Sequence, residues 1–203
     1  MIRFESAKSD PQKFAQQWAH NTHFKTTSSS ISSSVNETTL QTINAFISSD
    51  TNSGFVAEPS NYREGELDAL LFNALASVKR LTALSTPHLD ATWRKALFAQ
   101  LDSVHDPDEW EAGSHPVNLY SYSAFLYGLL RLRPNRKPSV GIDRKGNVTV
   151  MWFRDRDQVA LLFHPNDSVD WSVITGGQQT SGSASLETIV SRLSEANALN
   201  LLR

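Results

Sequence analysis

Beyond Pro138 the apolar residues fall at every second position. Val140 and Ile142, then Val148, Val150 and Trp152, then Val159, Leu161 and Phe163, then Val169, Trp171 and Val173 share one phase. A period of two is the repeat of a strand whose successive side chains point to opposite faces. The runs are separated by Arg144-Lys145-Gly146-Asn147, Arg154-Asp155-Arg156-Asp157 and Pro165-Asn166-Asp167-Ser168, all of turn composition. Connections this short return a strand beside its predecessor, because a parallel crossover needs a dozen residues or more. The spacing predicts a four-stranded antiparallel meander in sequential order. Its apolar face, at about 25 cal/mol per Å² buried, stabilises the chain only if helices cover it.

The other phase is mixed: Thr149, Met151, Phe153, Ala160, Leu162, His164, Asp170, Ser172 and Ile174. Met151, Phe153, Leu162 and Ile174 together are more apolar than a solvated sheet face carries. Another part of the chain, or a partner, is expected to cover them.

Upstream the repeat lengthens to three and four. Leu67, Leu70, Leu71, Ala74, Leu75, Val78 and Leu81 predict an amphipathic helix from Glu64 to Leu84. Ser85-Thr86-Pro87 then reads as a cap followed by proline, opening a helix to about Val104 with Leu89, Trp93, Leu97 and Leu101 on one face. After a turn-rich loop, Pro116 is expected to open a largely apolar helix that Pro134 ends. Gly176-Gly177 and the polar residues through Ser183 read as a loop, with a last helix from about Ser185 carrying Leu186, Ile189, Val190 and Leu193. Nearer the start, Asp10-Pro11 predicts a short helix to His20 with Phe14 and Trp18 on one face. A serine-rich stretch from Thr26 to Ser34 disfavours helix. A helix from Asn36 places Leu40, Ile43, Phe46 and Ile47 on one stripe, and 50–62 reads as a long loop. The class is α+β: a helical N-terminal part, 1–104, packed with a helix, the meander and a C-terminal helix over 105–203, as two parts or one continuous domain.

The chain has no cysteine, which excludes disulfides, thiolate nucleophiles and cysteine-ligated metals and fits a reducing compartment. A net charge of -2 argues against a surface built throughout to hold polyanions. Met1 to Asp10 carries no secretory apolar segment and no run approaches membrane-spanning length, so a soluble cytoplasmic protein without a membrane partner is expected.

No motif specifies a reaction. The window His105, Asp106, Asp108, Glu109, Glu111 and His115 is the richest in hard oxygen and imidazole ligands, but an acidic loop between helices is ordinarily solvated. His20 and His23, three apart, make a weaker pair at a helix end. No Gly-x-Ser-x-Gly elbow is present. The glycine-containing loop 176–183 lacks the lysine of a phosphate-binding loop and reads as a connector. No catalytic residue, metal-ligand set or cofactor is therefore assigned. Arg131, Arg133, Arg136, Lys137, Arg144 and Lys145 concentrate positive charge at a helix end, where cations complement the helix dipole. Without interleaved aromatics this stretch suits an acidic protein at least as well as a nucleic acid. Its sign opposes that of Asp106 to Glu111.

Two further motifs carry a resemblance. Trp110-Glu111-Ala112-Gly113-Ser114-His115-Pro116 and the later Pro138-Ser139-Val140-Gly141-Ile142 and Gly146-Asn147-Val148 are similar to a poorly characterised group of bacterial proteins with a Trp-x-x-Gly-x-x-Pro lead-in to a helix and then a β-meander. The resemblance covers Glu109 to Ile174 and implies fold rather than chemistry. The expected function is that of a non-enzymatic protein-binding module that neutralises a partner macromolecule, of antitoxin, immunity-protein or phage- or mobile-element-inhibitor type. The contact residues expected are Met151, Phe153, Leu162, Ile174, Arg131, Arg133, Arg136 and Lys137. The alternatives are a metal-dependent hydrolase or nuclease using the 105–115 window, and a nucleic-acid-binding protein using Arg131 to Lys145.

Overall fold

In the computed structural model of this chain, residues 43, 45, 46, 48, 65–86, 89 and 91–203 are described. The helix expected over 11–20, the serine-rich segment and the loop expected over 50–62 lie outside them. Ile43 and Phe46, on the stripe read from the sequence, are helical and buried.

Helix α1, Glu66–Ser85, buries Leu71, Ala74, Val78, Leu81, Thr82 and Ser85, the three-four stripe that its sequence encodes. Helix α2, Ala91–Val104, buries Trp93, Leu97 and Leu101 at a spacing of four. Helix α3, Leu119–Leu132, begins later than Pro116 predicts. Asn118 is its cap, its side-chain oxygen accepting from the N–H groups of Tyr120 and Ser121 at 2.9 and 3.2 Å. It ends at Arg133, whose φ of 45° and N–H bond to the Leu129 carbonyl close the last turn. Among its buried residues are Tyr122, Phe125, Leu126 and Leu129.

The sheet corrects the strand count. It has five antiparallel strands in sequential order: β1 Ser139–Ile142, β2 Val148–Arg154, β3 Asp157–Phe163, β4 Ser168–Thr175 and β5 Gln178–Ser185. The first four are those the alternation predicts, and every side chain of the predicted core phase, from Val140 to Val173, is buried. The fifth replaces the expected loop, and its sequence, Gln-Gln-Thr-Ser-Gly-Ser-Ala-Ser, carries no apolar period that would announce it. Its core-side positions pair Thr180 with Val173, Gly182 with Trp171 and Ala184 with Val169. A Cβ on Gly182 would stand 3.1 Å from the indole of Trp171, so the large residue of β4 covers the small one of β5 and supplies the apolar surface for both strands. The final helix, α4, spans Ile189–Glu195 rather than starting at Ser185, because Ser185 to Thr188 form a turn in which Thr188 N–H bonds the Ser185 carbonyl.

Helices and sheet share one core, which joins Ala74 and Leu81 of α1, Trp93 and Leu97 of α2, Phe125 of α3, the inner sheet face, and Ile189 and Leu193 of α4. Helix α3 lies on β2 and β3, with Gly128 against the Phe163 ring. The Ser121 hydroxyl donates to the Phe163 carbonyl and accepts from the Val148 N–H, both at 2.7 Å, stitching the helix into the ladder. The segments of the lead-in and the first hairpin meet in space. His115 N–H bonds the Arg144 carbonyl at 3.0 Å, Asn118 N–H bonds the Gly146 carbonyl at 2.8 Å, and Arg144 pairs with Glu111.

Candidate functional site

The register arranges the outer sheet face in rows. Phe153 faces Gln158, which faces Ile174, then Gln179; the next row runs Met151, Ala160, Ser172, Ser181; the next Thr149, Leu162, Asp170, Ser183. The four apolar residues singled out in the sequence are therefore on one face, but unequally placed. Met151 and Leu162 are 5% and 4% exposed, Ile174 is half-buried, and Phe153 is 42% exposed. Met151 and Leu162 are thus buried in this conformation, whereas Phe153 and Ile174 keep accessible surface.

The basic residues also divide. The Arg131 guanidinium lies 4.9 Å from the centre of the Tyr127 ring and bonds its hydroxyl at 3.2 Å, one helical turn back on α3, so this residue serves its own helix. Arg133 is exposed as the left-handed cap. Lys137 sits beside a shallow cleft between α2 and β1 lined by Trp93, Leu97, Gln100 and Phe125. Arg136 meets the end of β2: its guanidinium donates to the Phe153 carbonyl at 3.4 Å, while its own carbonyl accepts from the Trp152 indole at 2.9 Å. Seventeen residues apart in sequence, Arg136 and Phe153 become neighbours, with exposed Arg154 following at the end of β2 and Arg156 in the β2–β3 turn. Asp157, the first residue of β3, is engaged, accepting from the Gly176 N–H at 2.9 Å.

A cluster not foreseen from the sequence occupies the β5 side of the same face. Asp170 accepts from His164 Nε2 at 2.8 Å and from the hydroxyl of Ser183, its cross-strand partner. Its signal in the sequence is a carboxylate inside a strand, flanked by Val169 and Trp171, a position that requires donors when buried. The serine proton goes to the carboxylate rather than to the imidazole, so the order is not that of a nucleophile activated by histidine. Burial by itself would push the Asp170 carboxyl up, but hydrogen bonds from His164 and Ser183, with the electrostatic attraction of His164, hold it below the ordinary carboxylate range. A carboxyl depressed on folding stabilises the folded state above its unfolded pKa of about 4, and that contribution is lost as pH falls through the lower folded value. Asp170→Asn is accordingly expected to lose about 1–2 kcal/mol at pH 7. Urea unfolding across a pH series should show this deficit shrinking below about pH 4; a deficit that stays constant down to acid would contradict the assignment.

The 105–115 window is used structurally. His105 is buried, bonds the Leu101 carbonyl through Nδ1 at 2.8 Å, and has its pKa lowered by desolvation. Asp106 caps the 3₁₀ turn Pro107–Glu109 by accepting from Asp108 N–H. Glu111 pairs with Arg144, so the opposite patches noted in the sequence meet within the chain. Among the described residues no three histidine, aspartate or glutamate side chains converge as a metal site, and no helix is long and apolar enough to cross a membrane. No family model, no curated protein and no solved structure matches this chain.

Proposed function

We propose that this chain is a non-enzymatic module that binds an acidic protein partner and neutralises it by occlusion, in the manner of an antitoxin, immunity protein or inhibitor. The observation that carries the reading is the exposed Phe153 ring at the rim of a buried sheet face, with Arg136 at its carbonyl and exposed Arg154 and Arg156 next along the chain. Aromatic and arginine side chains dominate the energetics of protein interfaces, the ring by filling a pocket and the guanidinium by planar pairing with carboxylates. A basic rim also steers an acidic partner into register.

The test is affinity purification from host lysate, followed by titration of the captured protein against variants. Phe153→Asp is expected to weaken binding at least thirtyfold, the equivalent of about 2 kcal/mol, and Arg136→Glu to slow association most at low salt. Neither should alter the circular dichroism spectrum, since the Phe153 ring and the Arg136 side chain lie at the surface. Unchanged binding by Phe153→Asp would remove this surface from consideration. Capture of nucleic acid that Arg136→Glu releases would favour the nucleic-acid alternative instead.

A further inference from the structure

We infer that β5 is the pairing edge for a second copy of this chain, joining two sheets into one across a two-fold axis at Ser181. The two edges of the sheet differ sharply. Strand β1 is short, follows Pro138, and is closed by Gln100 of α2, whose side chain accepts from the Val140 N–H at 2.7 Å and donates to the Pro138 carbonyl at 3.2 Å. Strand β5 has eight residues with no proline and no charge, and Gln178–Ser181 and Ser183 are exposed. Sheet edges in monomeric proteins are ordinarily blunted by charge, proline, bulges or covering elements; along Gln179 to Ser183 β5 has no charge or proline, and no side chain among the described residues caps it.

The direction of its backbone groups follows from the turn before it. Gly176 and Gly177 have φ of 59° and 81°, the mark of a tight two-residue hairpin turn whose flanking pair, Thr175 and Gln178, exchanges both hydrogen bonds. Alternation then turns Gln178, Thr180, Gly182 and Ala184 toward β4 and Gln179, Ser181, Ser183 and Ser185 outward. Ser185 fixes the phase, because its N–H and carbonyl both bond Thr188 outside the sheet. Gln179, Ser181 and Ser183 are left with outward N–H and carbonyl groups that bond nothing among the described residues.

These three positions are self-complementary. Antiparallel pairing about Ser181 sets Ser181 opposite Ser181 and Gln179 opposite Ser183, satisfying all three with about six new backbone hydrogen bonds, two for each close pair. From Thr175 to Leu186 there is no charged side chain, so a two-fold pairing of this strand opposes no like charges. The side chains that would meet are already ordered: Ser183 bonds Asp170, and Gln179 bonds Ser172 at 3.2 Å. A second copy presents the same strand in the same state, and this match identifies it as the occupant.

The full chain should sediment at twice its 22.6 kDa mass in analytical ultracentrifugation at micromolar concentration. Ser181→Lys and Ser181→Asp each place like charges face to face on the axis and should weaken the dimer at least tenfold, with an unchanged circular dichroism spectrum because the Ser181 side chain is exposed. Mixing the two variants should restore a dimer containing one of each. A wild-type monomer at high micromolar concentration would overturn the inference, leaving β5 for an extended strand of another protein. Variants that dimerise separately as well as wild type would overturn it too.

Discussion

Gly146→Ala should be the most damaging single-methyl change in the described part of this protein. Gly146 has φ of 79°, a region that L-residues enter at a cost of roughly 1–2 kcal/mol, and a Cβ there would lie 2.2 Å from the Pro116 carbonyl oxygen. The obstacle is backbone, and it cannot rotate away. Relief requires the first hairpin to part from the segment before α3, stretching the Asn118 to Gly146 bond and the neighbouring His115 to Arg144 bond. Strain, overlap and lost hydrogen bonds together predict about 3–5 kcal/mol, a large part of the roughly 5–15 kcal/mol that holds a typical domain folded. Gly113 supplies the control. Its φ of 80° is almost the same, yet nothing lies within 4 Å of its would-be Cβ, so Gly113→Ala should cost only the conformational share. Urea unfolding of both variants separates the terms, and equal losses would show that the contact with Pro116 contributes nothing.

Gly128→Ala is expected to destabilise by about 2–3 kcal/mol despite improving helix propensity. Alanine in a helix interior gains about 1 kcal/mol over glycine, but here its methyl would stand 2.6 and 2.9 Å from two ring carbons of Phe163. That ring is fully buried, makes an edge contact with Phe125 at 5.8 Å between centres, and has no space to yield. The overlap outweighs the propensity. Phe163→Leu should cost about 1–2 kcal/mol alone by leaving a void, and in that background Gly128→Ala should be tolerated because the void receives the methyl. The double variant is thus predicted to be more stable than the sum of the singles by about 1–2 kcal/mol, as contacting residues permit. Additivity within about 0.5 kcal/mol would show that α3 does not seat on β3 through this pair.

Much of the fold is legible because its signals are local. Alternation places Val148, Val150 and Trp152 on one face, the stripe Leu71, Ala74, Val78 and Leu81 marks a helix, and both are found so. The start of α3 departs from expectation because proline at a first helical position is only a preference, whereas the Asn118 side chain closes two N–H groups. Strand β5 escapes a reading by period because its core-side residues are small to accommodate Trp171, a reason written in the neighbouring strand rather than in its own. The proposed contact surface is legible in type only. Its apolar phase and basic stretch can be named, but not that Met151 and Leu162 are buried, that Arg131 turns back to Tyr127, or that Arg136 reaches Phe153.

From the order of residues alone come the positions that alternate, those that repeat at three and four, and the places where the chain must turn. These follow from the pleat, the helical pitch and the steric habits of glycine and proline, all of which act within a few residues. Three-dimensional packing was needed to settle which of two apolar faces carries an exposed ring, which arginine stands beside it, and which sheet edge is closed by Gln100 and which has no partner among the described residues. Exposure and pairing depend on distant segments arriving at one place, and no local period records that arrival.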